Sequence, residues 1–190
     1  MRVNYMSKIL TKISLVCIVV ASFILQTASA LEQENSIKIN NNVLVLNGQG
    51  IRDKFFFDVY SAALYLEQPS NNGLEIINSN KQMTIRLIML RDVDGDSMRG
   101  AIKDGFVSSL GDQYPNLEKD IQLFLTTFGD EASYGNVYTL SYQQDIGTTI
   151  YINNTKTEII KGFEFKQALF SIWLGDKPAQ ESLKQELLGN

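Results

Sequence analysis

The feature that most constrains this chain is an aromatic and β-branched stretch that follows two glycines and an arginine, within residues 47–67. Residues 54–67 contain no proline or glycine, and their composition favours a strand over a helix. Both alternating faces of such a strand would be largely apolar. We therefore predict one long central strand that begins at Lys54, preceded by a loop that carries the glycines and the arginine.

The N-terminus is typical of a cleavable targeting segment. Three basic residues precede an apolar run at residues 13–25, and Ala-Ser-Ala at residues 28–30 matches a cleavage site. The apolar run is shorter than the ~20 residues that a membrane span needs. We predict a signal peptide at residues 1–30, cleavage after Ala30, and a periplasmic or secreted protein without a membrane span. An uncleaved anchor is the alternative.

The composition of the predicted mature chain excludes several classes of function. Three of the 17 basic residues lie in the signal, which leaves 14 against 21 acidic residues and a net charge of −7. That balance argues against nucleic acid or an anionic membrane as the main partner. Histidine is absent from the whole chain, so Ser-His-Asp catalysis, His-ligated zinc and a histidine pH switch are excluded. The single cysteine, Cys17, lies in the signal, so no disulfide is expected.

Strand and helix patterns follow one another in blocks along the rest of the chain. Strands are predicted at residues 36–40 and 43–46 (a hairpin), 81–90, 134–142, 148–152 and 156–160. Helices are predicted at residues 74–78, 92–110, 115–129, 163–174 and 178–188. This order indicates one α+β domain at residues 31–190, with an antiparallel sheet and helices packed on one face.

Two motifs in this pattern resemble the chalcone isomerase-like family. Gly-Gln-Gly-Ile-Arg at residues 48–52 resembles its Gly-x-Gly-x-Arg loop, and Tyr-Leu-Glu at residues 65–67 the end of its following strand. Phe-Ser-Ile-Trp-Leu-Gly at residues 170–175 resembles a family helix that ends in an apolar pair and glycine. The resemblance covers residues 36–190. It implies an open-faced β-sandwich of a secreted bacterial branch, related to plant chalcone isomerases and fatty-acid-binding proteins.

Arg52 is the first candidate for chemistry. Its guanidinium is always charged and offers a planar fork of donors that suits a carboxylate or an enolate oxygen. The glycines before it allow a backbone or a ligand to approach closely. Composition alone also permits a surface arginine paired with Asp53. The resemblance favours the ligand role, because the matching arginine of the plant enzymes lies in their ligand cleft.

Tyr60 is the second candidate, with an ordinary core tyrosine as the alternative. By the resemblance, it stands where the plant enzymes carry a catalytic threonine. Fatty-acid-binding relatives hold the ligand's carboxylate with an arginine and a tyrosine, which the pair of Arg52 and Tyr60 resembles better. Eight residues of straight strand span ~26 Å. The two side chains therefore meet only if the chain bends between Arg52 and Phe57.

The other positions implied by the resemblance match the plant isomerases less well. Thr157 stands where those enzymes keep a threonine, and it is a third ligand-binding candidate. Met98 falls where they keep a tyrosine and Gly105 where they keep an asparagine, two residues that help to hold the substrate and polarise its carbonyl through water. Their replacement predicts that chalcone cyclisation is no faster than the uncatalysed reaction.

Two further patterns are explained better by structural roles than by ligand binding. The acidic run at residues 92–96 resembles a calcium loop, but glycine comes at the fourth position and Lys103 replaces the closing glutamate. Helix capping explains it more simply, so we predict no metal and no cofactor. The three phenylalanines at residues 55–57 and Trp173 are predicted to be core residues, because their spacing suits a buried strand and a buried helix.

Three functions remain open from the sequence. The first is binding of a small, largely apolar, fatty-acid-like acid in a cleft between sheet and helices, with Arg52 supplying charge and Tyr60 a hydrogen bond. The second, implied by the resemblance, is an isomerase (intramolecular lyase) acting on a phenolic or enone ligand, with Arg52 and Tyr60 as catalytic residues. The third is a non-catalytic accessory module with a closed cleft. A cavity lined by both residues separates the first two from the third.

Overall fold

An antiparallel sheet carries the fold in the computed structural model, which describes residues 33–190. Its strands, with a short separate pair, are β1 (Ser36–Ile39), β2 (Asn42–Lys54), β3 (Phe57–Leu66), β4 (Met83–Met89), β5 (Val93–Asp94), β6 (Glu131–Ala132), β7 (Val137–Gln143), β8 (Gly147–Ile152) and β9 (Thr155–Ile160). Seven strands pair in the order β1-β2-β3-β4-β7-β8-β9, and β5 pairs with β6. Neighbouring strands of this sheet follow one another in sequence except for β4 and β7. The chain between those two strands forms β5, β6 and two helices outside the sheet.

Helices cover one face of this sheet. They are α1 (Gly73–Asn78), α2 (Gly95–Leu110), α3 (Tyr114–Leu125), α4 (Phe163–Leu174) and α5 (Glu181–Leu187), with a 3-10 turn at Gly111–Gln113 between α2 and α3. Helix α4 is the central one, because eight of its twelve residues are buried. The main core forms between this layer and the sheet. The predicted α+β class, with an antiparallel sheet and helices on one face, is confirmed.

The described residues Gln33–Asn190 form one compact unit with its own core. The predicted signal peptide at residues 1–30 lies outside the described residues. Within residues 33–190, no helix has the length and apolar character that crossing a membrane requires.

The predicted long strand is wrong at its beginning. β2 runs through the predicted glycine loop as far as Lys54, the chain turns at Phe55 and Phe56, and β3 starts at Phe57. Both turn residues have left-handed backbone angles, with φ of 51° and 69°. Such turns usually carry asparagine, aspartate or glycine. The turn was therefore missed because its residues have strand propensity and none of the usual turn chemistry.

The two glycines of the motif seat the last helix on the sheet. A Cβ at Gly48 would overlap the backbone carbonyl of Glu186, and one at Gly50 would overlap the Glu186 carboxylate. Helix α5 consequently packs directly on β2. The two glycines thus allow α5 to approach the sheet, and this packing holds the start of α5 close to Arg52.

Candidate functional site

A cavity of about 480 Å³ lies between the sheet and the helices, at the end where β2 turns into β3. This volume lies within the ~300–1,000 Å³ of typical small-molecule sites. Most of its wall is apolar, contributed by β3, β4 and β7 on one side and by α2, α3 and α4 on the other. The apolar wall residues include Val59, Leu87, Leu140, Met98, Ile102, Phe124, Phe128 and Ile172.

Arg52 and Tyr60 both line this cavity and are direct cross-strand partners. Cross-strand partners carry their side chains on the same face, with Cβ atoms about 4.5–5.5 Å apart. The hairpin turn at Phe55 and Phe56 thus supplies the bend that the pair needs. A register irregularity follows at once, since Asp53 pairs with Asp58 and leaves Val59 without a cross-strand partner. Bulges of this kind re-aim side chains beside functional sites.

Hydrogen bonds to its neighbours hold the Arg52 guanidinium in place. Its Nη1 donates to the Gln180 side-chain oxygen at 2.9 Å and to the backbone carbonyl of Asp53. Gln180 in turn accepts from the Asp53 backbone N–H at 3.1 Å and donates to its carboxylate at 2.6 Å. Over residues 33–190, no carboxylate forms an ion pair with Arg52. The direct Asp53 pairing considered as the alternative is therefore not formed, and Gln180 bridges the guanidinium and the Asp53 carboxylate instead.

Tyr60 is held by Trp173 of helix α4. The indole Nε1–H donates to the Tyr60 hydroxyl oxygen at 3.0 Å. Burial raises the pKa of Tyr60, while the bond from Trp173 and the charge of Arg52 partly offset that rise. The phenol is therefore neutral at physiological pH. Because its oxygen already accepts from Trp173, its own O–H is the group that remains to donate into the cavity.

Thr157, the third candidate, does not join this pair. It is exposed on β9, and its hydroxyl donates to the backbone carbonyl of Ile150 at 3.1 Å. It is not among the residues that line the cavity. Its position in the structure gives no support to a ligand-binding role.

The two departures from the plant isomerases have clear structural roles. Met98 is buried on α2 and forms part of the apolar cavity wall. Gly105 lies further along α2, where an added Cβ would come within 3.0 Å of Ile172. The first position thus offers the cavity a thioether in place of a phenol, and the second permits close packing of α2 against α4.

The acidic run has the helix-capping role that its sequence predicts. The Asp94 carboxylate accepts from the Ser97 backbone N–H at 2.9 Å, and this bond lowers the pKa of Asp94. Asp92 accepts from the backbone N–H of Tyr134, and Asp96 pairs with Arg99. In the described part of the chain, no three or more metal-ligating side chains are grouped to hold an ion.

The prediction that residues 55–57 are core is wrong. Phe55, Phe56 and Phe57 are 78%, 101% and 60% exposed, because they form and follow the hairpin turn. Phe55 and Phe57 border the cavity. Trp173, predicted as core, is buried as expected, and it also contacts Tyr60.

The sequence did not point to the residues that position the pair. Trp173 lies 113 positions from Tyr60, and Gln180 lies 128 positions from Arg52. Helix and strand patterns relate residues only a few positions apart, so they cannot indicate contacts between residues this distant in sequence. The one usable sign was the Phe-Ser-Ile-Trp-Leu-Gly motif, which marked Trp173 without indicating its partner.

The fold and the cavity define an α+β sandwich with an internal, mostly apolar space and charged residues, Arg52 among them, at its edge. A family model described as chalcone isomerase-like matches residues 26–189. The chain therefore belongs to the chalcone isomerase-like family, as its two motifs indicated.

One solved structure with the same fold is that of a fatty-acid binding protein from Arabidopsis thaliana. The two chains share 16% sequence identity and superpose with a TM-score of 0.65, over 82% of this chain and 90% of that one. Similarity at this level of identity shows the fold alone. Comparison with curated proteins finds no match.

Proposed function

We propose that this protein binds a fatty-acid-like carboxylic acid, with the carboxylate between Arg52 and Tyr60 and the apolar tail in the cavity. The observation that carries the proposal is the direct pairing of these two residues at the edge of a largely apolar cavity. The fatty-acid binding protein of the same fold adds support by analogy.

The donors of the pair match the acceptors of a carboxylate. Arg52 bonds to the protein through Nη1, and within residues 33–190 no bond engages its Nε or Nη2. Those two nitrogens and the Tyr60 hydroxyl are donors, whereas a carboxylate offers only acceptors. Apolar walls strengthen such charge-assisted bonds, because they lower the local dielectric. Gln180 keeps the guanidinium in place before a ligand arrives.

Chalcone cyclisation is not part of the proposed function. A thioether at Met98 and a glycine at position 105 provide no hydroxyl or amide there to polarise a carbonyl through water. We expect purified protein to cyclise a chalcone no faster than buffer does. Stereoselective turnover that is lost in Arg52→Ala would instead establish the isomerase alternative.

Export is part of the proposal. The basic, apolar and Ala-Ser-Ala segments at residues 1–30 support it. N-terminal sequencing of the protein from the producing cell's exported fraction should return Leu31 first. An intact Met1 there would contradict cleavage after Ala30, and absence of the protein from that fraction would contradict export.

Calorimetry with decanoic acid tests the binding site. Arg52→Ala should weaken binding at least tenfold, because a hydrogen bond to a charged group contributes ~1.5–3 kcal/mol. Arg52→Lys should recover part of this loss, since lysine lacks the planar fork. Tyr60→Phe should cost one neutral bond, ~0.5–1.5 kcal/mol.

Two controls separate the carboxylate site from general apolar binding. Lys103→Ala removes an exposed cation on α2 and should leave the affinity unchanged. Decanol, which has the tail without the carboxylate, should bind the parent and Arg52→Ala equally. Equal decanoate affinities in the parent and the Arg52 variants, or no binding by the parent, would reject the site.

A further inference from the structure

The hairpin between β2 and β3 ends in an exposed aromatic tip, defined here as Phe55, Phe56 and Phe57. Phe56 is fully exposed, and its two neighbours are 78% and 60% exposed. Large apolar side chains that are exposed together mark surfaces that interact with a protein or a membrane. Burial of the Phe56 ring within the protein does not explain its presence at this position.

The backbone of the tip is also unfavourable for its residues. Phe55 and Phe56 have φ of 51° and 69°, in the left-handed region that bulky residues avoid. Asparagine or glycine would adopt this turn at lower cost. Exposure and backbone strain therefore both oppose stability at the same two residues, and strained residues of this kind cluster at functional sites.

The tip lies at the edge of the cavity. Phe55 and Phe57 line it, and Arg52 and Tyr60 follow a few residues further along the same two strands. Lys54 Nζ lies 5.8 Å from the centroid of the Phe55 ring, and the Arg91 guanidinium lies 4.9 Å from that of Phe57. Cations therefore flank the base of the apolar tip, an arrangement that suits lipid phosphates above an acyl-chain region.

The charges around the tip are mixed. Arg52, Lys54 and Arg91 lie close to Asp53, Asp58 and Asp92 in strands or in the cavity wall. No strongly basic face results, so attraction to anionic lipid is not the expected driving force. The three rings are the dominant feature, and they favour the interface of a neutral bilayer.

We propose that the aromatic tip inserts into the surface of a lipid bilayer, so that an apolar acid passes between the bilayer and the cavity. The transfer step rests on the proposed ligand-binding function. Insertion itself does not, because it requires only the exposed rings and the cations beside them.

Flotation with phosphatidylcholine vesicles tests insertion, using residues 31–190. This segment contains the compact unit, and it omits the apolar N-terminal run that would bind vesicles by itself. The parent should float with the vesicles, and Phe56→Ser should reduce the bound fraction at least tenfold. Leu74→Ser, which removes an exposed leucine from α1, is the matched control and should bind like the parent.

The outcomes distinguish insertion from its alternatives. No vesicle binding by the parent, or equal binding by Phe56→Ser, overturns the proposal. A different result would assign the tip to a second copy of the chain instead: the parent forms dimers in size-exclusion chromatography with light scattering, Phe56→Ser does not, and neither protein binds vesicles.

The test of insertion is independent of the proposed ligand site. Arg52→Ala should still float, so a failure of fatty-acid binding leaves the test of insertion intact. Phe56→Ser should keep the parent's decanoate affinity in solution.

Discussion

Two cations lie between the sheet and the helices, and they differ in what surrounds them. Lys166 on α4 is fully buried, and its ammonium donates to the backbone carbonyls of Ile76, Ile77 and Ser79 at and just beyond the end of α1. Arg52 is partly exposed and bonds to the protein through one nitrogen. Both cations are fixed, but only Arg52 faces an open cavity.

Hydrogen bonds and aromatic rings together satisfy the Lys166 ammonium. The rings of Tyr142 and Phe163 lie 5.2 Å and 4.7 Å from its Nζ. Its three donors thus have three carbonyl acceptors, and the aromatic faces favour its charge. Lysine at a helix C-terminus commonly satisfies the last carbonyls in this way. We conclude that Lys166 is structural, whereas Arg52 keeps donors available for a ligand.

Exchanging each cation for methionine should lower stability by different amounts. Lys166→Met removes the Lys166 donor from the Ile77 and Ser79 carbonyls, while the Ile76 carbonyl keeps its bond from the Ser79 backbone N–H. The loss of these charge-assisted bonds should lower the free energy of unfolding by about 3 kcal/mol. Arg52→Met should lower it by less than about 1 kcal/mol, since its bonds are partly exposed. Urea unfolding of the two variants measures both values. Equal losses of stability would contradict the distinction between the two cations.

The stability of the protein should depend on pH through Lys166. Burial lowers the pKa of Lys166 from 10.5 to about 8, so between these values the unfolded state binds more protons than the folded state. Stability should therefore rise by about 2 kcal/mol from pH 8 to pH 9.5. The slope from this group vanishes only below about pH 7, where both states hold the proton. Urea midpoints across this range provide the measurement.

Lys166→Met is the control for this pH dependence. Burial also raises the pKa of Tyr60, Tyr65, Tyr138 and Tyr142, which should lower stability above pH 10, but those groups are common to both proteins. The rise should therefore be absent in the variant. A rise of the same size in both proteins would assign it to another group.

The attachment of α5 should be sensitive to the motif glycines. Gly48→Ala places a methyl group against the Glu186 carbonyl and should destabilise the protein by about 2 kcal/mol. It should also weaken decanoate binding, because Gln180 directly precedes α5 and holds Arg52. Gly100→Ala is the matched control, since its added methyl meets open space in a helix and should be neutral or stabilising. Similar effects of the two alanines would contradict the seating role of Gly48.

The bond from Trp173 should orient the Tyr60 hydroxyl. Trp173→Phe removes this donor and should weaken decanoate binding by about 1 kcal/mol, the value of one neutral hydrogen bond. A double-mutant cycle with Tyr60→Phe isolates the contribution, because the two losses should not add. Fully additive losses would mean that Trp173 acts only through its volume.

Much of the fold was predictable because its signals are local. The Asn40 turn, with φ of 56°, follows from asparagine's tolerance of that conformation. Apolar residues recur at every fourth position of α2, a spacing that predicts a buried helix face, and two of them, Met98 and Phe106, are buried. The turn at Phe55 and Phe56 was not predictable, since those residues favour strands.

The site was predictable only in part, because its geometry is not local. Arg52 and Tyr60 were identified from a family resemblance. Their side chains are close only because the chain turns between them, at residues that are not typical of turns. The pairing arises from the register of β2 and β3, which the whole hairpin sets. Thr157 was identified from the family resemblance alone, and in the structure it is exposed on β9, away from the cavity.

The most direct test of the Arg52 site is the titration of a bound carboxyl group. Carboxyl-labelled ¹³C decanoic acid reports its own protonation by NMR while it is bound. Arg52 should lower the pKa of the bound acid, whereas in Arg52→Met the apolar cavity should raise it, because burial disfavours the charged form. A bound pKa that is lower in the parent than in the variant is the predicted result. The same pKa in both proteins would contradict an ionic contact between Arg52 and the ligand.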